Sequence, residues 1–197
     1  EYIAEKSDIR LTLYHNYSPN YHISTALGNE YVTGADYIEW GSGSAGWLYK
    51  YQMKGLETRI YGFETEIDYQ LTKKINIFTS LSISRGENLS DEIPLSYMPP
   101  DKFIFSSEIN LDPLKIDLIY KQALKQSRLG EFETSTNGYK IIDLNTSFSR
   151  NSNKLMHKFI LGIENILNQE YYNHLSRIKL VMPEKGRSLN MQYRLIF

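Results

Sequence analysis

Apolar and polar residues alternate along most of this chain. Tyr61, Phe63, Thr65, Ile67 and Tyr69 fall on one parity, and Gly62, Glu64, Glu66, Asp68 and Gln70 on the other. The same period of two runs through Ile9, Leu11 and Leu13, through Ile75 to Ile83, and through Phe103 to Leu111. It recurs in Ile116, Leu118 and Tyr120, in Ile142 to Phe148, in Phe159, Leu161 and Ile163, and in Leu189 to Phe197. Successive side chains of a strand point to opposite faces, so each segment shows one apolar and one polar face. The pattern predicts about eight strands and no helix, with β-branched and aromatic residues dominating the segments.

The connections add a second regularity. Leu71 to Lys74, Asp112 to Lys115 and Asn151 to Met156 are short; 28–47, 87–101, 126–138 and 164–187 are long. Long and short connections alternate strictly. An antiparallel up-and-down transmembrane β-barrel segment has this form, with short periplasmic turns and long external loops. Phe63, Ile67, Tyr69, Leu81, Ile109, Leu118, Leu144, Leu161 and Tyr193 are then expected to face lipid. Glu64, Glu66, Asp68, Ser82, Glu108, Asp117, Asp143 and Arg194 are expected to face a polar interior.

Composition fits this picture without deciding it. Hydrophobic residues make up 41%, which suffices when only alternate positions need be apolar. The 16 Tyr against 8 Phe suit amphipathic girdles at membrane interfaces. A net charge of −1 gives no electrostatic footprint for nucleic acid. The absence of Cys rules out a disulfide framework and thiolate metal sites. The chain opens Glu1-Tyr2-Ile3-Ala4-Glu5, with no Met and no signal-like segment, so a processed chain or a piece of a longer one is expected.

Candidate chemistry is sparse. Gly41 to Gly46 matches a dinucleotide-type glycine spacing, but strand-like residues follow it and no βαβ unit surrounds it, so it reads as a loop tip. The four His share no ligand spacing, and no cofactor or metal site is expected. His174, with Met182, is a candidate contact for a soft metal or haem; a solvated loop histidine is the preferred reading. Glu64, Glu66 and Asp68 share a strand face and read as barrel-wall carboxylates rather than acid–base catalysts. Nothing resembles a nucleophile elbow or a triad, so no enzyme activity is expected. Loop aromatics are the best ligand-contacting candidates: Tyr31, Tyr37, Trp40 and Tyr97, joined by His174. Rings stack on flat ligands and chelates, although they also anchor at lipid headgroups.

Several segments resemble the C-terminal part of TonB-dependent outer-membrane receptors. Gly162-Ile163-Glu164-Asn165-Ile166-Leu167-Asn168-Gln169-Glu170-Tyr171-Tyr172 is similar to the family's penultimate strand running into its Asn-Leu-Phe-Asn-x-x-Tyr loop. Pro183-Glu184-Lys185-Gly186-Arg187 resembles the Pro-x-x-Gly-Arg before its terminal strand. Tyr61-Gly62-Phe63-Glu64, Arg85-Gly86-Glu87-Asn88 and Pro94 to Lys102 resemble earlier pieces in the same order. Met191, Tyr193, Leu195 and the terminal Phe197 resemble the signal read by the barrel-assembly machinery.

The resemblance implies that residues 1–197 are the C-terminal portion of such a barrel, without the N-terminal plug domain and the earlier strands. Family barrels have about 22 strands around a plugged lumen. Implied function is uptake of a scarce nutrient, a ferric siderophore or other iron chelate first. Implied partners are the outer-membrane bilayer of a Gram-negative bacterium, TonB through the missing plug, and the assembly machinery. Haem, cobalamin, copper or glycan import would leave the same motifs. A complete eight-stranded barrel with a structural or adhesion role stays open as the alternative. Gly186 is expected to allow a close approach or a positive φ. Arg187 is expected to pair with an inward carboxylate such as Glu164, or with a plug acid. Pro99-Pro100 blocks helix before Lys102.

Overall fold

The computed structural model describes residues 2–4, 6–26, 37–39, 47–49, 51–153 and 155–197. The side chains of 2–4, 26, 37–39, 47–49 and 51 lie outside the described set, as do Tyr31 and Trp40 altogether. The strands are β1 (Tyr2–Ala4), β2 (Ser7–Ala26), β3 (Tyr37–Glu39), β4 (Trp47–Tyr49), β5 (Tyr51–Thr72) and β6 (Ile75–Asn88). They continue as β7 (Ile93–Pro94), β8 (Lys102–Leu111), β9 (Leu114–Ala123), β10 (Tyr139–Ser152), β11 (Leu155–Glu164) and β12 (Ser188–Ile196).

Every pairing is antiparallel, and the sheet runs β1-β2-β5-β6-β8-β9-β10-β11-β12, with β7 added to β6. The expected long segments are all present. β1, β7 and the separate β3–β4 hairpin are short additions that alternation over three residues or fewer cannot signal. The sheet is open: among the described residues no ladder joins β12 to β1 or β2. The closed eight-stranded alternative therefore does not describe it.

Directly opposed residues share a face, so register carries parity from strand to strand. Leu11, Thr65, Leu81 and Phe103 form one row; Leu118, Leu144 and Ile163 form another with Leu189. Phe148, Phe159 and Tyr193 lie on that same face, where the Phe159 and Tyr193 rings meet with centroids 4.9 Å apart. The opposite face carries Thr12, Glu64 and Ser82, and further on Glu108, Asp117 and Asn145. The two predicted sets fall on opposite faces throughout. On β5 the apolar positions run from Phe63 to Leu71, matching the ~9–11 residues with which a tilted strand crosses a bilayer.

Polar side chains on the second face pair across strands. Arg10 Nη1 donates to Glu66 at 2.9 Å, Lys115 lies 2.7 Å from Glu108, and Asn76 Nδ2 donates to Asp68 at 3.0 Å. The apolar face changes character above Leu13, Phe63 and Ile83. There the next rows are His15–Tyr61–Arg85 and Tyr17–Arg59–Glu87, with Arg59 bonded to Glu87 and lying over the Tyr61 ring. β2 and β5 continue well past this level as a paired ribbon, with a register shift between Ser18 and Tyr21.

Leu118→Arg places a charge in the middle of the apolar band and should cost ~2–4 kcal/mol in the assembled barrel. Ser82→Arg, on the polar face, should cost distinctly less. Denaturant unfolding of the full-length protein in lipid vesicles measures both. Equal costs would mean that the two faces do not meet different media.

Candidate functional site at the loop end of the sheet

Short turns sit at one end of the sheet: Lys73-Lys74, Asp112-Pro113 and the stretch after Ser152. The β6–β8, β9–β10 and β11–β12 connections sit at the other end, and they pack on one another. The β6–β8 loop folds back through β7, where Leu95 N–H donates to Gly86 O at 3.0 Å. Gly86 lies on the polar face, and a Cβ there would come 2.6 Å from Met98 Sδ, so glycine lets this loop settle without displacing the Met98 side chain. Gln126 donates from Nε2 to the Met98 carbonyl at 3.0 Å, and its backbone exchanges two hydrogen bonds with Thr136. Pro99-Pro100 precedes β8 with no helix between, as expected, and Asp101 binds Arg85.

A polar clasp joins all three loops. Glu133 Oε1 accepts from Tyr97 N–H at 2.6 Å, and its Oε2 accepts from Gly130 N–H at 2.9 Å. His174 Nε2 lies 3.1 Å from the same Oε1. The imidazole and carboxylate are 1% and 2% exposed, so neither is solvated. Lys179 Nζ donates to Thr134 O at 2.7 Å, to Thr136 Oγ1 at 2.9 Å and to His174 Nδ1 at 3.2 Å. An ammonium can only donate, so Nδ1 must accept and the ring proton sits on Nε2, facing Glu133. The Thr136 hydroxyl, 2.9 Å from Nδ1, completes the same pattern by donating to it. His174 is thus held neutral. Burial, then the Lys179 ammonium, push its pKa below the ordinary value of 6.5, while Glu133 works the other way. Burial likewise draws Lys179 below its ordinary range.

This corrects the expected solvated loop histidine. Both ring nitrogens are engaged in binding loop to loop, which also removes them from metal ligation. Among the described residues no cluster of His, Asp and Glu could hold a metal.

Between this clasp and the upper part of β2 lies a cavity of about 700 Å³. Tyr21 and Ile60 form its sheet side; Leu95, Tyr97, Phe132 and Arg177 belong to the loop side. Tyr97 and Phe132 adopt left-handed backbone, with φ of 62° and 63°. Non-glycine residues do this at a cost of order 1 kcal/mol or more, borne by the surroundings. Here the Glu133 hydrogen bonds to Tyr97 and Gly130, and the Ser96 hydroxyl bond to Glu131 O, hold the two bends. A shallower hollow of about 420 Å³ lies on the apolar face between Leu13, Phe63, Ile83 and the His15–Tyr61–Arg85 row.

The motif residues prove architectural. Asn165 is buried with φ of 50°; its side chain accepts from Gln169 N–H and donates to Gln169 O, and its own N–H donates to Asp143 Oδ1 at 2.8 Å. Asp143 is also buried and binds Lys121 at 2.7 Å. Asn168, with φ of 52°, accepts from Arg187 N–H at 2.9 Å. A Cβ on Gly186 would sit 3.0 Å from that same Asn168 oxygen, which is the expected close approach. Tyr171 packs on Tyr139 with centroids 4.5 Å apart, and its carbonyl accepts from Glu184 N–H, beside Pro183. The expected Arg187–Glu164 pair does not form. Lys185 and Ser188 occupy Glu164 instead, at 3.0 and 3.1 Å, because they flank Arg187 on the approach to β12.

Of the ligand candidates, Tyr97 lines the cavity and His174 reaches it from within the clasp. Tyr31 and Trp40 lie outside the described residues, as does the Tyr37 side chain. Sequence reasoning missed Glu133, Arg177 and Lys179. No spacing signals Glu133, which meets His174 only through the packing of separate loops, and nothing local marks Arg177 and Lys179 among the residues that follow His174 in its own loop.

An open antiparallel sheet with one apolar face, one polar face and all its long loops at one end is the fold of part of an outer-membrane receptor barrel. Solved TonB-dependent receptors share it. Copper transporter OprC superposes with a TM-score of 0.76 over 95% of this chain and 29% of its own, at 21% identity. The pyoverdine outer membrane receptor FpvA from Pseudomonas aeruginosa, bound to pyoverdine, gives 0.70 over 100% and 28%, at 18% identity. The siderophore receptor PirA from Acinetobacter baumannii gives 0.63 over 95% and 29%, at 13% identity. The chain thus spans less than a third of the length of these structures. No family model matches it.

Acidification should loosen the clasp. The unfolded ring takes a proton as pH falls through about 6.5, whereas the folded ring resists it. The stabilisation from neutral His174 is therefore complete above pH 6.5 and declines as pH falls below it. Hydrogen exchange in loops 124–138 and 165–187 of the full-length protein should rise from pH 7 to pH 5, after correction for intrinsic rates. His174→Gln, which keeps a donor and an acceptor but cannot be protonated there, should flatten the dependence. A wild-type profile as flat as the variant's would refute this role.

Proposed function

We propose that this chain is the C-terminal portion of a TonB-dependent receptor of a Gram-negative outer membrane. Its task is energy-dependent uptake of a scarce nutrient, an iron chelate such as a ferric siderophore first. The observation that carries this reading is the cavity at the loop end, built on the polar side of an amphipathic sheet. A ligand arriving from outside meets the long loops first. Passage then follows the polar face, where strand walls carry Arg10–Glu66 and Lys121–Asp143 pairs rather than apolar side chains. The reading also draws on the known ligands of similar folds, which include pyoverdine for FpvA. Copper remains a rival cargo, because OprC shares the fold equally well. No enzymatic step enters this role.

Cells carrying the full-length gene, starved of iron, should accumulate iron from a supplied ferric chelate only while the inner-membrane energy-coupling protein is present. Deleting the gene should abolish that accumulation. Accumulation of copper in place of iron under the same regime would move the reading to the rival cargo.

The terminal strand has a role in assembly under this proposal. Met191, Tyr193 and Leu195 share the apolar face of β12, and Phe197 beyond it is 98% exposed. An exposed aromatic terminus can dock a strand edge and start insertion by strand addition. Deleting Phe197, or Phe197→Asp, should lower the outer-membrane level of the full-length protein and leave unfolded chain in the periplasm. Tyr193→Ala should act in the same direction more mildly. Heat-modifiable mobility and loop proteolysis on intact cells report this, and normal surface levels without Phe197 would end the assignment.

A further inference from the structure

The charges around the loop-end cavity do not cancel. Glu133 is the one carboxylate in the described lining, and both of its oxygens are consumed by Tyr97 N–H, Gly130 N–H and His174. It is buried behind the wall it builds. Two cations share the lining with this one carboxylate, which leaves a net charge of one positive unit. Lys179 gives its protons to Thr134 O, Thr136 Oγ1 and His174 Nδ1, all neutral acceptors, and makes no salt bridge among the described residues. Arg177 is exposed on the cavity side and has no hydrogen bond or ion pair among the described residues. Guanidinium is the group best suited to binding a planar anionic oxygen pair through two parallel N–H donors.

The apolar part of the lining is also specific. Tyr21, Tyr97 and Phe132 bring three rings to one cavity, two of them on backbone bends that the clasp holds in place. A cavity with unmatched positive charge and ring faces favours a ligand with anionic oxygens on aromatic groups. It disfavours a cationic ligand, which would meet Arg177 and Lys179 with no free carboxylate to receive it.

We propose that the loop-end cavity selects an anionic, aryl-oxygen chelate of a metal ion, with Arg177 as the specificity-determining contact. This rests on the receptor reading above and narrows it from iron chelates in general to those carrying net negative charge. Arg177 supplies the charged hydrogen bonds, the rings supply stacking surface, and Lys179 adds field from within the clasp without leaving its loop partners.

The test measures binding of two iron(III) complexes to the purified full-length protein by quenching of tyrosine and tryptophan fluorescence. One is the tris-catecholate, which is anionic; the other is a neutral tris-hydroxamate. The tris-catecholate should bind the more tightly, and its affinity should fall as salt rises. Arg177→Gln should weaken it by ~10-fold, in line with the loss of one charged hydrogen-bonding group. Arg177→Glu should weaken it further, and Arg177→Lys should keep most of the affinity. Neutral-chelate binding should stay within about twofold in all three variants, on the same scale. Arg177 is exposed and without partners among the described residues, so the variants are expected to fold, and heat-modifiable mobility checks it. Equal affinity for the two chelates, or undiminished tris-catecholate binding by Arg177→Gln and Arg177→Glu, would overturn the inference and leave the receptor reading standing. Binding of neither chelate would overturn both.

Discussion

In a hydrocarbon medium no water is available to satisfy a backbone N–H or C=O, so each must find its partner in a neighbouring strand. Under the proposed barrel reading, the rest of this molecule depends on that constraint. It explains why the strands pair antiparallel without interruption from β2 to β12, and why register rather than packing sets which side chains share a face. Few apolar side chains are buried: Leu56, Leu95, Ala123 and Ile141 are the hydrophobic residues buried among the described residues. A water-soluble domain of this size would be held by a core. Here Leu13, Leu118, Met191 and Tyr193 stay exposed on one face, and the sheet is complete only with a medium or further strands against it.

Where the sheet leaves the apolar zone, polar chemistry takes over as the organising force. Asp143 and Asn165 are both buried, and each is satisfied: Asp143 by Lys121 and the Asn165 N–H, Asn165 by Gln169. Buried polar groups of this kind stabilise only when every member has a partner, and they then fix one geometry. Asn165 and Asn168 take up left-handed backbone at the exit of β11, and Asn168 holds the approach to β12 through Arg187 N–H. The motif that brings the known family to mind is therefore a loop-closing device, and its asparagines sit away from the candidate cavity.

Period-two segments were legible because an apolar face and a polar face impose opposite demands on adjacent residues. Tyr61 to Gln70 shows this most cleanly. Legibility stopped where both faces meet polar surroundings. Residues Met53 to Ile60 alternate poorly, yet β5 runs on to Tyr51, because ribbon pairing with β2 needs no apolar face. The clasp was illegible for a different reason. Glu133 and His174 are 41 positions apart, and nothing local marks Glu133 from its neighbour Glu131. Chemistry alone lets Arg187 pair with an inward carboxylate such as Glu164 or with a plug acid, and only geometry shows that Lys185 and Ser188 take Glu164 instead.

The clasp and the strained aromatics depend on each other. Tyr97 and Phe132 occupy backbone bends that are unfavourable for isolated residues, so some other contact must hold them. The Glu133 carboxylate does so by accepting Tyr97 N–H and Gly130 N–H. A buried carboxylate with two neutral donors still lacks compensation for desolvation, and His174 Nε2–H supplies the third donor without adding a charge. A charged lysine at the His174 position would neutralise Glu133 outright, but it would also confront Lys179 in the same wall. A neutral imidazole meets both requirements because it donates on one side and accepts on the other. The geometry of two cavity rings thus traces through one carboxylate to the protonation state of one histidine. The loop-end cavity is shaped by that chain of hydrogen bonds, as the sheet is shaped by its ladders.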